Sequence, residues 1–184
     1  DVTLTILPGV EMLFENGTGL TNNGILVAKG TSGQKIKFFP KSQQPLPGQW
    51  TGITFNNSKT ILGSDSTYIS GSVLSEVEII GSLYSVTLDH GSKVLIENTS
   101  IGHCPFGINI LESGNNTIRG CNLIYCDFAI FIARGYNNPD NRIYDNTISS
   151  SSDVGIFINS ISTQSYRNLI TGNLVTSSNI GVHF

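Results

Sequence analysis

The segments Ile143-Tyr144-Asp145-Asn146-Thr147-Ile148 and Gly155-Ile156-Phe157-Ile158 together form one of four aligned copies of a repeat in the second half of the chain. The first segment recurs as Ile96-Glu97-Asn98-Thr99-Ser100-Ile101, Ile118-Arg119-Gly120-Cys121-Asn122-Leu123 and Ile170-Thr171-Gly172-Asn173-Leu174-Val175. The second recurs as Gly107-Ile108-Asn109-Ile110, Ala129-Ile130-Phe131-Ile132 and Gly181-Val182-His183-Phe184. The leading isoleucines are 22, 25 and 27 residues apart, so loops of variable length join strands of fixed length. Self-similarity at this period indicates a solenoid.

Stacking the copies determines which side chains point inward, because side chains alternate between the two faces of a strand. One interior column then contains Ile108, Ile130, Ile156 and Val182, and a second contains Ile110, Ile132, Ile158 and Phe184. A corner column contains Thr99, Cys121, Asn146 and Asn173, where asparagine can hydrogen-bond along the stack and adopt turn conformations. Each strand returns parallel to the last, and such crossovers are right-handed.

We therefore predict an all-β fold, a right-handed parallel β-helix solenoid of roughly seven or eight coils, with residues 1–184 as a single domain. The first half repeats less clearly. Its predicted strands are Leu4–Ile6, Met12–Phe14, Gly24–Ala28, Lys35–Phe39, Gly52–Phe55, Val77–Ile80 and Val94–Ile96. A β-sandwich also has many short strands at a spacing of about 8–12 residues, but the longer period favours the solenoid.

Composition limits the partners of this chain. Charged residues make up only 12% of it and the net charge is −3, without a basic patch, so we expect no nucleic-acid partner. No apolar stretch approaches the roughly 18 residues of a membrane span. The chain opens at Asp1 directly into a strand, which predicts a segment of a longer protein or a unit that stacks end to end.

Three stretches in the first half of the chain resemble known β-helix proteins. Thr3-Leu4-Thr5-Ile6-Leu7-Pro8-Gly9-Val10, Gly24-Ile25-Leu26-Val27-Ala28-Lys29-Gly30-Thr31 and Gly48-Gln49-Trp50-Thr51-Gly52-Ile53-Thr54-Phe55 resemble the opening of extracellular parallel β-helix proteins of the Bark beetle/Anakonda type and of bacterial surface proteins. The later coils resemble the repeat that is shared by pectate lyases, alginate epimerases and NosD-like proteins. The resemblance implies the fold and leaves the function open, because this repeat occurs in enzymes, adhesins and structural modules.

Few residues suggest catalysis. Lyases of the resembling families use an Arg or Lys base beside acidic calcium ligands, and hydrolases use clustered aspartates. The best set here is Arg119, Asp127, Arg134, Asp140, Arg142 and Asp145. Of these, Arg119, Arg142 and Asp145 are weak catalytic candidates, and Arg119 and Asp145 are placed to pair across neighbouring coils. A solvated surface ion pair is the preferred interpretation.

Neither histidine motif predicts a site. Asp89 and His90 are adjacent, so we expect them to point to opposite faces and to form a turn after a strand. His103 precedes Cys104 without a second ligand pair at suitable spacing, so we expect no metal and no cofactor.

Cysteines and sequons suggest modifications. Cys104 and Cys126 occupy equivalent positions and predict either a stacked thiol pair or one disulfide, the thiols being favoured, while Cys121 stays unpaired. Sequons at Asn16, Asn56, Asn98 and Asn115 permit glycosylation if the protein is secreted.

One outward column stands out as a binding surface. Phe131, Phe157 and His183 continue a column that begins at Asn109, and two phenylalanines on an outer face form an apolar stripe. We expect the loops 133–141 and 159–168 to cover it, with a sugar or a protein partner as the alternatives. Together these features predict an extracellular, non-catalytic module for adhesion, assembly or filament formation that contacts carbohydrate or protein surfaces. A polysaccharide lyase, hydrolase or epimerase domain is the alternative.

Overall fold

β-Branched and aromatic residues form short strands throughout the computed structural model, and turns rich in Gly, Asn and Ser separate them. The structure describes residues 2–42, 44–132, 138–159 and 167–184, and within these ranges every regular element is a strand. The strands are β1 (Thr3–Ile6), β2 (Glu11–Phe14), β3 (Gly19–Asn22), β4 (Ile25–Lys29), β5 (Ile36–Pro40), β6 (Trp50–Asn56), β7 (Thr60–Leu62), β8 (Tyr68–Gly71), β9 (Val73–Ser75), β10 (Val77–Ile80), β11 (Ser82–Asp89), β12 (Leu95–Glu97), β13 (Ser100–Ile110), β14 (Thr117–Arg119), β15 (Asn122–Ile132), β16 (Arg142–Tyr144), β17 (Thr147–Ser149), β18 (Val154–Ile158), β19 (Leu169–Thr171), β20 (Leu174–Thr176) and β21 (Ile180–His183). No helix that could cross a bilayer occurs in these ranges.

The strands stack as parallel coils around one interior. The first sheet has the order β1-β4-β9-β12-β14-β16-β19 and receives one strand from each coil. The second sheet holds the remaining strands of each coil, and its two halves are joined through the 11-residue strands β13 and β15. Ile96, Ile118, Ile143 and Ile170 are register partners in successive coils, which confirms the repeat and its spacing. The parallel solenoid predicted from the sequence is confirmed.

The described chain makes about six turns, slightly fewer than the seven or eight predicted. Most turns advance by 22–27 residues, but Val27 pairs with Val73, 46 residues later. This long second turn contains the residues between β5 and β6 and the antiparallel hairpin β7–β8. The prediction divided the chain length by the ordinary repeat and therefore overcounted the coils.

The core consists of the inward side chains of every coil. Ile108, Ile130 and Ile156 are buried and in register with one another and with Val182, as predicted. Ile110, Ile132 and Ile158 form the second column. Phe184 does not extend that column, because β21 ends at His183 and the Phe184 side chain is 85% exposed.

Ladders of buried polar side chains satisfy the backbone at the corners. In the predicted corner column, the Asn146 Oδ1 accepts from the Cys121 N–H at 2.9 Å, and the Asn146 Nδ2 donates to the Asn173 Oδ1 at 2.9 Å. A second ladder, which the sequence analysis missed, joins Asn116, Asn141 and Asn168. Each ladder uses amide groups to satisfy backbone groups that have no strand partner, as buried backbone requires.

The hairpin β7–β8 covers part of the first sheet. Leu74 and Ile96 belong to the core, whereas their neighbours Val73 and Leu95 point outward and are nevertheless fully buried. The Lys29 ammonium lies 4.9 Å from the centre of the Tyr68 ring, which ties the hairpin to the edge of this face. The hairpin β7–β8 therefore covers part of the outer face of the first sheet, and a groove lies beside the hairpin.

Candidate functional site

The three weak catalytic candidates do not form one constellation. Arg119 Nη2 lies 2.6 Å from Glu97 Oε2, and Arg119 Nη1 donates to the Tyr144 hydroxyl at 3.1 Å. Glu97 is the register partner of Arg119 on the preceding coil. The pairing of Arg119 with Asp145 that the sequence predicted is therefore not formed, because an in-register carboxylate already binds the guanidinium.

Asp145 belongs to a corner. Its backbone has a positive φ of 56°, and its carboxylate lies over Gly172, where a Cβ would collide with it. Gly120 occupies the same corner position as Asp145, one coil earlier, and the side chain of Asn98 lies close to it. Left-handed corner positions favour Gly, Asn and Asp, which explains the residue types in this column. The residue type of Asp145 thus has a structural explanation that does not involve catalysis.

Arg142 lines the groove beside the hairpin. The groove has a volume of about 300 Å³, and its wall includes Ser66, Lys93, Asn115 and Asp140. Arg142 Nη1 donates to the Ser66 Oγ at 3.3 Å, and Asp140 forms a 2.7 Å ion pair with Arg167. Arg134 and its loop lie outside the described residues. The groove combines cationic and amide side chains, a set that suits an anionic or hydroxyl-rich ligand.

A larger feature lies on the outer face of the second sheet. Six side chains form a continuous cluster, here called the aromatic wall: Tyr84, Phe106, Phe128, Phe131, Phe157 and His183. Phe131, Phe157 and His183 are register partners, as predicted. The Phe131 and Phe157 rings stack with centres 5.1 Å apart and an interplanar angle of 5°. The wall extends over five successive strands of one face.

The wall contains a second column, Tyr84, Phe106 and Phe128, which the repeat pattern had not been used to predict. Phe106 stacks on Tyr84 at 4.9 Å and on Phe128 at 5.3 Å. Phe128 meets Phe131 edge to face at 5.7 Å, which joins the two columns. The equivalence of Phe106 and Phe128 was visible in the repeat and would have been the signal. Offset stacking and edge-to-face packing are favourable for aromatic rings, so the wall is preordered.

The outward column continues below the phenylalanines as polar side chains. Thr21, Thr54, Thr87 and Asn109 precede Phe131 in register. Asn109 is only 7% exposed, and its Oδ1 has no hydrogen-bond donor in the structure. The surface therefore changes from hydroxyl groups at one end to aromatic rings at the other. The central parts of the loops expected to cover it, 133–137 and 160–166, lie outside the described residues.

Comparison with known proteins identifies the family. A family model described as "Right handed beta helix region" matches residues 51–184. The chain belongs to the right-handed β-helix family. Among solved structures it is similar to an alginate lyase from Paenibacillus sp. str. FPU-7, with 14% identity and a TM-score of 0.39. That match covers 94% of this chain and 57% of the lyase chain, so the β-helix described here spans little more than half of it. No curated protein matches the chain.

All three cysteines of this β-helix are buried thiols. Cys104 and Cys126 are register partners on β13 and β15, and their sulfur atoms are 3.0 Å apart. Cys121 stands in the corner column and contacts the carbonyls of Ile96 and Arg119. Burial raises the pKa of the Cys121 thiol to about 12. The Cys121 thiol therefore reacts slowly in the folded protein, because the thiolate is the reactive form.

The sequons differ in accessibility. The side chains of Asn16, Asn98 and Asn115 are exposed at turns and corners. Asn56 is half-buried in β6 and donates to the Asn23 Oδ1 at 2.9 Å. Glycan attachment stays a prediction, and the exposed three are its better candidates.

The histidines of the two motifs are exposed, His90 at a turn after β11 and His103 within β13. The Asp89–His90 turn is confirmed, but these two side chains do meet, with His90 Nδ1 3.0 Å from Asp89 Oδ2. The positive φ of His90, 51°, turns its side chain back toward Asp89, which an extended strand would prevent. The His103 ring lies 5.1 Å from that of Tyr125 on the surface, with the two planes tilted by 34°. Within the described ranges, no group of three or more His, Cys, Asp or Glu side chains could hold a metal ion.

Proposed function

We propose that this chain is an extracellular, non-catalytic β-helix module for adhesion or assembly, and that the aromatic wall is its contact with a partner protein. The wall is the observation that carries the proposal. It places Phe106, Phe128, Phe131 and Phe157 half-buried on one outer face, where aromatic rings are costly to leave in water. The resemblance of the opening coils to surface β-helix proteins supports the extracellular location.

Preorganisation makes the wall suited to binding. Its rings pack against one another on strands that are held by neighbouring coils on both sides. A partner therefore loses little free energy to ordering these side chains. Aromatic side chains at the centre of interfaces also contribute disproportionately to binding free energy.

The breadth of the aromatic wall favours a protein over a sugar as the partner. A sugar ring stacks on the flat face of an aromatic ring, whereas Phe131 and Phe157 turn their faces toward each other. The planes of Phe106 and Phe128 lie at 81° to that of Phe131, so ring faces and ring edges alternate across the wall. This mixed apolar surface extends over five strands and suits the aliphatic and aromatic side chains of a protein better than a single sugar ring. End-to-end stacking of copies stays a separate prediction about assembly.

Replacing the stacked phenylalanines of the aromatic wall should weaken binding to cells. We expect the double variant Phe131→Thr/Phe157→Thr to lose at least tenfold of the wild-type affinity for the surface of cells of its source organism, because it deletes the stacked pair at the centre of the wall. Threonine keeps the strand propensity. The measurement is equilibrium binding of the labelled protein to intact cells. Tyr125→Asn removes an exposed aromatic side chain from another corner, at a positive φ that asparagine tolerates, and should leave the affinity unchanged.

Two results would contradict this proposal. Equal binding by wild type and the double variant would show that the wall is not the contact. A carbohydrate partner would be identified instead if isolated cell-surface glycans bound the protein with the same affinity as the cells and protease treatment of the cells did not reduce binding.

The enzyme alternative has one observation in its favour, the groove that Arg142 lines beside Lys93 and Asp140. If this groove were catalytic, wild type would depolymerise or epimerise an acidic polysaccharide and Arg142→Ala would reduce kcat/KM by at least 100-fold. Our proposal predicts no turnover across a panel of neutral and acidic polysaccharides. Turnover that Arg142→Ala abolishes, while its unfolding midpoint stays at the wild-type value, would establish the alternative.

A further inference from the structure

We infer that Cys104 and Cys126 are a disulfide site that covalently links two neighbouring coils when the protein folds in the presence of a disulfide oxidant. The two cysteines are register partners in the middle of the solenoid, and their sulfur atoms are 3.0 Å apart. Both side chains are buried, with 2% and 1% exposure. The inference is independent of the partner proposed for the aromatic wall.

The backbone already has the geometry that a disulfide needs. A disulfide requires a Cα separation of about 4.4–6.8 Å and an S–S bond of about 2.05 Å. Paired residues on neighbouring parallel strands lie about 4.8 Å apart. The sulfur atoms therefore need to approach by about 1 Å, which small side-chain rotations provide. β13 and β15 keep their register on both sides of the pair, at Ile101–Leu123 and Phe106–Phe128, so the backbone need not move.

The third cysteine cannot compete in the folded chain. Cys121 occupies the corner column, and the Cys121 N–H is held by Asn146 on the next coil. The sulfur of Cys121 contacts backbone carbonyls, whereas the sulfur of Cys126 contacts that of Cys104. The structure therefore selects one pairing out of three.

The reaction is a thiol–disulfide exchange with a low-molecular-weight disulfide such as oxidised glutathione. The thiolate of one cysteine attacks the glutathione disulfide, forms a mixed disulfide and releases one glutathione thiolate, which takes up the proton that the cysteine lost. The second cysteine then loses its proton, attacks the mixed disulfide and releases the other glutathione as a thiol. The two cysteines are oxidised by two electrons, and one glutathione disulfide is reduced to two thiols.

The bond forms during folding and not after it. The hydrogen bond between the two cysteines, together with burial, raises the pKa of the Cys126 thiol well above its ordinary value. Both side chains are also buried, so a folded and reduced protein exposes neither sulfur atom to the oxidant. While β15 docks onto β13, by contrast, both thiols are still in contact with solvent.

The experiment is refolding of the full chain from denaturant in a glutathione redox buffer, followed by alkylation of free thiols under denaturing conditions. We expect one alkylated cysteine per chain, against three after refolding with a reducing agent, and a mass lower by two hydrogen atoms before alkylation. In Cys121→Ser, trypsin cleavage after Arg119 should give one peptide pair linked through Cys104 and Cys126. Cys104→Ser should give no intramolecular disulfide that resists mild reduction.

Stability provides the second readout, since it does not depend on alkylation. The bond closes a loop of 22 residues, so oxidation should lower the unfolding equilibrium constant on the order of 100-fold in wild type and in Cys121→Ser. Cys104→Ser should show no such difference between oxidising and reducing buffers. Three alkylated cysteines after refolding in the oxidising buffer would overturn the inference. A dominant pairing that includes Cys121 would also overturn it.

Discussion

Gly52→Ala is expected to lower the free energy of unfolding by about 4 kcal/mol or to prevent folding altogether. Gly52 lies within β6 with a φ of 110°, a backbone conformation that side chains other than glycine rarely adopt. A Cβ at this position would overlap the carbonyl oxygen of Tyr84 on the neighbouring strand. The alanine variant must therefore both strain its backbone and push β6 away from β11.

The measurement is the urea midpoint of unfolding, followed by fluorescence of Trp50, which is buried beside Gly52. Gly33→Ala is the matched control, because no heavy atom lies within 4 Å of the Cβ it would add. We expect that control to stay within about 0.5 kcal/mol of wild type. Equal midpoints for Gly52→Ala and wild type would mean that β6 and β11 are not paired as described.

Asn146→Ala is expected to cost about 3 kcal/mol, because it leaves several buried polar groups without partners. The Asn146 side chain accepts from the Cys121 N–H, and its Nδ2 donates to the carbonyl of Ile118 and to the Asn173 Oδ1. Asn146 itself is only 1% exposed, so water cannot replace these bonds. The loss combines the desolvation of the orphaned groups with a cavity at the corner.

Asn122→Ala is the matched control for the ladder. Asn122 follows the same corner, but its side chain is exposed, so the side-chain amide is not part of the ladder. Its replacement should change the free energy of unfolding by less than about 0.5 kcal/mol. If both asparagine variants unfold at the same urea concentration, the ladder contributes nothing specific and the corner is held by its backbone alone.

The sequence predicted the regular part of this fold because the repeat determines the register. Once the leading isoleucines are aligned, alternation along each strand determines which side chains point inward. Columns such as Ile108–Ile130–Ile156 follow directly. The Asn116–Asn141–Asn168 ladder could also have been found, since each asparagine stands two residues before a leading isoleucine.

Insertions and corners were not predictable in the same way. The hairpin β7–β8 interrupts the second turn, so the period disappears from the first half of the chain and the number of coils is overestimated. Which residue types can occupy a corner depends on the backbone φ there and on contacts with residues distant in sequence. Arg119 differs from the corner residues, because it stands on β14 in register with Glu97; the aligned repeat therefore contained the information for this ion pair, although the prediction had paired Arg119 with Asp145.

The aromatic wall shows both outcomes. Phe131, Phe157 and His183 were placed in one column by alternation alone, and the structure agrees. The contribution of Tyr84, Phe106 and Phe128 depends on how β13 and β15 run across a corner, which places Phe128 edge to face with Phe131. The repeat alignment shows that Phe106 and Phe128 are equivalent, but it carries no information about the bend that brings them beside Phe131.

Site-specific photo-crosslinking on intact cells tests whether the aromatic wall contacts a partner protein. The photoreactive phenylalanine analogue benzoylphenylalanine would replace Phe131 in one sample and Tyr125 in a matched control. We expect position 131 to crosslink to one discrete cell-surface protein, and an excess of unlabelled wild type to suppress the product, while position 125 gives no such product. Crosslinking at position 125 but not at position 131, or no protein product at either position while the protein still binds the cells, would contradict this expectation.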